Sequence, residues 1–538
     1  MTDRILAHRH RLVNDENSKW WTLGAMCFAL FMIMLDNTVV NVALPSIQHD
    51  LHASLAALEW TVNAYTLTFA VLLVTGGRLG DIFGRRRMFL FGVTVFGLSS
   101  LAIGFAPNDT FLVAFRAVQG VGAAFMMPAT LAIITQAFPA EQRGTAIGTW
   151  AGVSALALAI GPVVGGFLTE YVSWRAIFFI NPPIAVVAIA VTLFAARESR
   201  DETVGKTVDF AGIATLTVGL TALVLALVQS NSWHWGSARV ISLLVLAALS
   251  LTAFVVIERR VKAPMIDFTF FRSRTSIGAN TVGFLISFAM FAQFFFLTLY
   301  MQNVLHYSPL ETGLRFLPST LVIMVTAPLA GRLADRVGSR PLMTIGLAIV
   351  AAALFIESRV TIHSGYGLLL PGFVLMGLGM GLVMSPMSTA AMNAVDRSKA
   401  GAASGVLSMS RMVGSTFGVA VMGALVTTIG GSKIDSLLPH VPAATRDAVT
   451  NALGSGATIG GHASAGIVAA ANDAFVSALG IGLLVGSLVT LSGAVVAWTL
   501  IRPRVVAPAA VPAQATAAPQ AQSQSQAHDE AAAEVSLV

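Results

Sequence analysis

Long apolar runs separated by short polar segments dominate the chain. A helix needs about 20 mostly apolar residues to cross hydrocarbon. Fourteen runs meet that length, at roughly 20–45, 58–76, 88–106, 110–135, 144–168, 176–196, 209–230, 238–257, 276–302, 313–331, 341–358, 366–390, 401–428 and 475–501. Their length and their Leu, Ala and Met content predict helices rather than strands. The last polar stretch between runs, 430–473, is rich in Gly, Ala and Ser and carries no predicted span. The tail 503–538 is rich in Ala, Pro, Gln and Ser without an apolar period, which predicts disorder.

The polar segments differ in charge. With the N-terminus placed in the cytoplasm, 24 of the 32 Lys and Arg residues fall in inside segments and five in outside loops. Arg116, Arg315 and Arg411 lie in or near spans. That imbalance sets the orientation, with both termini inside and an even number of spans.

Composition agrees with a lipid-facing bundle. Hydrophobic residues make up 56% and charged residues 11% of the chain, against a usual charged share of about 25%. Mean hydropathy is +0.78. The net charge of +6 is carried by short loops between apolar runs, so it reads as an orientation signal and not as a nucleic-acid surface. Cys27 is the one cysteine, which excludes an intramolecular disulfide and a Cys-based metal site. The first apolar run is too long for a secretory h-region, so no cleavable signal is expected. The histidines do not cluster, and no phosphate-cradling loop or nucleophile–base pair stands out. No cofactor, metal or enzymatic activity is expected.

An internal repeat organises the spans. Gly77-Arg78-Leu79-Gly80-Asp81-Ile82-Phe83-Gly84-Arg85-Arg86 returns 254 residues later as Gly331-Arg332-Leu333-Ala334-Asp335-Arg336-Val337-Gly338-Ser339-Arg340. A looser echo links Gly120–Pro128 with Gly377–Pro386. The first repeat follows span 2 and recurs after span 10. Two six-helix halves with two helices inserted between them satisfy that spacing, and duplicated bundles around a central path are a transporter architecture. The expected divisions are a cytoplasmic tail at 1–19, a first bundle at 20–200, the inserted pair at 201–262, a second bundle at 263–502 and the tail.

These motifs resemble a known family. Gly77–Arg87 is similar to the cytoplasmic loop signature of the major facilitator superfamily. Leu35-Asp36-Asn37-Thr38-Val39-Val40-Asn41-Val42-Ala43-Leu44-Pro45 resembles the first-helix signature of its fourteen-span drug:proton antiporters, the EmrB/QacA type. Arg116-Ala117-Val118-Gln119-Gly120 is similar to the superfamily's buried-arginine motif, and Gly161-Pro162-Val163-Val164-Gly165-Gly166 to its antiporter motif. Trp174-Arg175, Phe179-Ile180-Asn181-Pro182 and Tyr300-Met301-Gln302 with Ser308-Pro309 also fit. The likeness covers about residues 20–502. One departure is Ala157, where the antiporter motif often carries Gly. The resemblance implies an all-α membrane protein of the major facilitator fold, in which a proton gradient drives export of small compounds.

Several side chains are candidates for that chemistry. Asp36 lies in the outer half of span 1, about 13 Å of helix rise before Pro45. It is the one acid read as well inside a span, and a carboxyl that is neutral when dry and charged when wet suits proton exchange. The lack of further acids in later spans speaks against export of multivalent cations. Two readings stand for Arg116: a proton-dependent interaction, with Asp36 as one candidate, or snorkelling toward the outer surface. Gln119 sits on its face at i+3, and Asn37 and Asn41 are polar in span 1. Phe284, Phe288, Phe291 and Phe295 form one stripe on span 9 that either lines a cavity, with Gln293 nearby, or packs. Gly77, Asp81, Gly84 and Arg85 are expected to latch the halves: the resemblance implies that Asp81 caps or pairs with span 13, where Arg411 is the candidate partner, and Asp335 is the second-half copy. Gly152, Gly161, Pro162, Gly165 and Gly166 line span 5, as a seal between the halves or as plain small-residue packing.

The function expected is proton-coupled multidrug efflux of lipophilic or cationic compounds from a bacterial plasma (inner) membrane. The alternative is a dedicated exporter of one endogenous metabolite, antibiotic or lipid precursor. An importer and a non-transporting sensor are weaker readings. The expected partners are small-molecule substrates, protons and the bilayer, with a monomer as the working assembly and no nucleic acid.

Overall fold

The computed structural model describes residues 17–53, 55–200, 209–233, 235–261, 264, 272–455 and 464–502. The tail expected to be disordered lies outside the described residues, as do the side chains of Asn41 and Pro162.

Among the described residues all regular structure is helical. The first group comprises α1 (Ser18–Leu51), α2 (Leu55–Phe83), α3 (Arg85–Gly104), α4 (Asp109–Ala137), α5 (Arg143–Tyr171) and α6 (Asn181–Ala195), the last entered through a short turn at Ala176–Phe179. Then come α7 (Phe210–Trp233) and α8 (Ala238–Glu258). The second group comprises α9 (Arg274–Leu299), α10 (Pro309–Val337), α11 (Ser339–Glu357), α12 (Tyr366–Asn393), α13 (Ala400–Leu437) and α14 (Ala465–Leu500). Thirteen helices among the described residues are long and apolar enough to cross a membrane, and α5, outside that set, is 29 residues long. All fourteen predicted runs therefore fall on helices.

Helix starts follow local chemistry. Asn108 caps α4 by accepting from the Phe111 N–H at 2.8 Å. Ser308 and Glu311 form a reciprocal capping box on α10, with Pro309 in its first turn. The two repeat loops share one conformation, since Gly84 and Gly338 have φ of 112° and 87°. A side chain is strained there, which is why both copies keep glycine.

Sequence left the structure of 430–473 open. The stretch 430–473 is largely helical: α13 runs on to Leu437, a short helix covers Ala443–Ser455, and α14 begins at Ala465. At 1.5 Å per residue, the 38 residues of α13 reach about 57 Å, well past the roughly 30 Å of a hydrocarbon core. Outside hydrocarbon, Ala and Ser are satisfactory helix formers without an apolar run, so hydropathy underestimates such extensions.

Helices α1–α6 pack among themselves, as do α9–α14. The halves meet chiefly along α5–α10 and α2–α13, with α4–α13 and α5–α12 beside them. Helices α7 and α8 form a hairpin, and α7 rests on both α2 and α13. The joint is close at the arginine-rich end. A Cβ on Gly331 would stand 2.0 Å from the Gly144 carbonyl oxygen, and one on Gly77 would stand 2.3 Å from that of Gly401. Only glycine lets these backbones approach so nearly.

Candidate functional site

Five helices converge on Asp36. Its side chain is 1% exposed. Oδ2 accepts from an Arg116 terminal nitrogen at 2.5 Å. Oδ1 accepts from Gln119 Nε2 at 3.0 Å and from Asn181 Nδ2 at 3.3 Å. Arg116 is itself 1% exposed and donates to Gln119 Oε1 at 2.8 Å and to the Thr61 carbonyl of α2 at 3.0 Å. Its guanidinium lies 4.2 Å from the centre of the Tyr65 ring. Asn181 also donates to Ser100 of α3 at 2.9 Å.

This arrangement resolves the two readings of Arg116. The side chain turns inward onto Asp36 and does not snorkel. Helix geometry sets the pairing: Arg116 and Gln119 are three residues apart and share one face of α4, and that face meets α1. A buried ion pair of this kind stands only if its remaining hydrogen-bonding groups are filled, and here Gln119, Asn181 and a backbone carbonyl fill them. Removing one partner of such a pair costs about 3–5 kcal/mol. Sequence reasoning left Asn181 without a role, and its signal was an amide at the start of an apolar run, one residue before proline.

The Asn37 side chain reaches Tyr65 at the edge of this group, and Phe291 and Gln293 stand apart from it. Asn37 donates to the Ile33 carbonyl of its own helix at 3.0 Å. Phe291 is 38% exposed, while Gln293, two residues on and therefore on the far side of α9, is buried. Phe284 and Phe288 lean on Phe417 of α13, so the aromatic stripe splits between packing and surface.

Gln293 leads to an acid the sequence reading missed. Glu357, at the end of α11, is fully buried and accepts from Gln293 Nε2 at 3.1 and 3.0 Å. Asp36 is therefore not the one acid enclosed by the bundle. Glu357 sits on the last residue of its apolar run, where hydropathy reads an acid as interfacial. The polar Gln293 in the middle of α9 was the available signal.

The arginine-rich end carries a second carboxylate cluster. Asp81 is fully buried. It accepts from the backbone N–H groups of Gly401 at 2.9 Å and Ala402 at 2.7 Å, the first turn of α13, and from Arg85 at 2.7 Å. Arg85 in turn donates to the Ser398 carbonyl at 2.5 Å. Asp335 repeats the arrangement against α5, accepting from Gly144 N at 3.1 Å and Thr145 N at 3.3 Å. Each carboxylate thus sits on the positive end of a helix of the other half. Arg411 is not the partner of Asp81. It lies ten residues beyond Gly401, about 15 Å along α13, and the free N–H groups of the helix start supply the contact in its place.

The span-5 glycines divide between two faces. Gly144, Gly148 and Gly152 are four apart and turn to α10. Gly161 and Gly165 abut Thr38 and Val39 of α1, within the first half, and Gly166 faces Val42 of the same helix. Nine residues separate Gly152 from Gly161, which is two and a half turns, so they point in opposite directions. Of the four expected glycines, Gly152 faces the other half.

Opposite the latches, Asp50 at the end of α1 accepts from the Trp174 indole at 2.9 Å and from Arg175. The Trp174 hydrogen bond, and then that of Arg175, hold its carboxyl below the usual value.

A duplicated helical bundle with a buried ion pair in one half and helix-capping carboxylates between the halves defines a multi-pass membrane transporter of small molecules. The chain belongs to the Major Facilitator Superfamily, whose family model matches residues 26–419. It is 36% identical over 420 residues to the tetracenomycin C resistance and export protein of Streptomyces glaucescens, covering 78% of this chain and 77% of that one. It is 40% identical over 439 residues to the puromycin resistance protein pur8 of Streptomyces alboniger, covering 80% and 86%. It is 36% identical over 431 residues to the multidrug resistance protein Stp of Mycobacterium tuberculosis, covering 80% and 79%. Among solved structures, the proton:xylose symporter XylE superposes with a TM-score of 0.60 at 12% identity, covering 91% of this chain and 97% of that one. The human organic anion transporter MFSD10 superposes with a TM-score of 0.54 at 13% identity, covering 88% and 99%.

Proposed function

We propose that the protein is a proton-coupled exporter of small lipophilic organic compounds, drugs or antibiotics among them, working by alternating access in a bacterial plasma membrane. The buried Asp36–Arg116 pair with Gln119 and Asn181 carries this reading. A proton reaching Asp36 cancels one charge of the pair and frees Arg116, Gln119 and Asn181 to rearrange, so proton binding and helix packing are coupled at one place. Charge balance supplies the drive, because each elementary charge crossing the membrane contributes about 2.3 kcal/mol per 100 mV. The Lys and Arg distribution supports placing the Asp81 and Asp335 clusters on the cytoplasmic side. With both clusters closed, the structure corresponds to the state sealed toward the cytoplasm. The names of the relatives support a cargo of drug or antibiotic type.

The test is transport in everted vesicles with a pH-sensitive dye. Asp36→Asn is expected to insert normally and to lose uphill export and cargo-induced proton release. Uphill export by that variant at the wild-type rate would refute the coupling role. A panel of dyes and drugs separates multidrug efflux from export of a single metabolite.

A further inference from the structure

The second half holds a charge that the ion pair and the latches leave unused. Arg411 lies about 16 Å of helix rise into α13 from Ala400, near mid-span. It is part-buried, and its Nε is enclosed without a hydrogen-bond partner. Among the described residues no carboxylate stands within ion-pair distance of it. Its stem rests on α9, where a Cβ on Gly283 would stand 3.3 Å from Arg411 Cγ and 3.4 Å from Met387 Sδ of α12. Ser410 beside it donates to Asn280 of α9 at 3.3 Å.

The repeat gives this place a meaning. Helices α9 and α12 are the second-half counterparts of α1 and α4, which carry Asp36 and Arg116. Arg116 stands on one helix of its pair, whereas Arg411 reaches the second-half pair from α13. In the first half Asp36 neutralises the arginine, whereas among the described residues of the second half no carboxylate pairs with Arg411. A guanidinium cannot shed its charge, and charge without a partner is costly inside a membrane protein. The missing anion has to come from outside the fold. A lipid headgroup is an unsuitable source, because headgroups lie at the membrane faces and Arg411 lies near mid-span.

We infer that Arg411 is an anion-recognition residue of the transport path, and that the cargo is an organic compound bearing a carboxylate or ionised phenol. The inference rests on the export reading and names the chemical class of its cargo, in place of the cationic compounds expected from sequence. Arg411 meets that group by charge-assisted hydrogen bonds, while Asp36 handles the proton independently.

Binding of fluorescein, an aromatic carboxylate and phenol, to the full chain in lipid-free maltoside detergent tests it by fluorescence anisotropy, with ethidium as the cationic probe. Fluorescein is expected to bind, Arg411→Gln to weaken it at least about tenfold, and Arg411→Lys to retain part of the affinity. Ethidium binding is expected to be weak and insensitive to either substitution. Gly283→Ala, which crowds the arginine stem and keeps its charge, is expected to weaken fluorescein alone, and it serves where Arg411→Gln does not fold. Absence of fluorescein binding overturns the assignment, as does equal binding by wild type and both Arg411 variants. Fluorescein binding in detergent runs without a proton gradient, so failure of proton coupling, read in vesicles, and failure of this assignment give different results.

Discussion

Replacing Asp81 by asparagine keeps the shape of the side chain and removes its charge. In the wild type, its two oxygens accept from Gly401 N at 2.9 Å and Ala402 N at 2.7 Å across the joint between halves. Asparagine keeps one acceptor and aims an NH₂ group at the other N–H. At least one charge-assisted bond is lost, worth about 1.5–3 kcal/mol, and the facing donors add to that. The weaker attraction to the α13 dipole also favours opening. A total of about 2–4 kcal/mol shifts the ratio of closed to open cytoplasmic faces by roughly 30- to 700-fold. Spin labels at the exposed positions Arg87 and Asp396, one on each half, report the distance across this face in a Cys27→Ala background. Asp81→Asn is expected to populate a longer distance that is scarce in the wild type. An unchanged distance distribution in folded Asp81→Asn protein would sink the latch.

Other outcomes follow from the same geometry. Gly331→Val places side-chain atoms against the Gly144 carbonyl and is expected to abolish export while leaving membrane insertion intact, measured by vesicle transport against expression level. Asp335→Asn is expected to open the cytoplasmic face less than Asp81→Asn, because its contacts are longer; the same label pair measures it. Glu357→Ala leaves the buried Gln293 amide unpaired and is expected to cost about 1–3 kcal/mol, read as a lower thermal midpoint in detergent; an unchanged midpoint counts against the contact. The carboxyl of Asp50 is held low by Trp174 and then Arg175. Its stabilising contribution is therefore complete above the ordinary aspartate value of about 3.9 and is lost as pH falls through the lower folded value. Below about pH 4 the thermal midpoint of wild type should fall more steeply than that of Asp50→Asn.

Much of the candidate site was legible in one dimension. An acid, an arginine and a glutamine inside apolar runs are conspicuous because each is expensive there. The repeat around Asp81 and Asp335 announced a duplicated contact. Asn181 was quoted in a motif but given no role, and Glu357 escaped notice because it stands near the end of its run, where a polar residue carries no penalty unless another helix covers it. The resemblance led to a cap or a pair between Asp81 and span 13, and Arg411 was the candidate because it lies on that span. A carboxylate at a helix start has backbone N–H groups nearer to hand than a side chain three turns away.

By itself, the amino-acid order determined fourteen spanning helices, their duplication around an inserted pair, and the identity of the charged groups that lipid cannot accept. Those properties follow from length, hydropathy and the cost of burying charge, all of which are summed along the chain. Only tertiary structure decided which charges neutralise one another, which face of α5 meets each half, and which arginine is left over. Such choices depend on how helices turn about their axes and which turns they bring level, and a rotation of half a turn exchanges one neighbour for another without altering hydropathy at all.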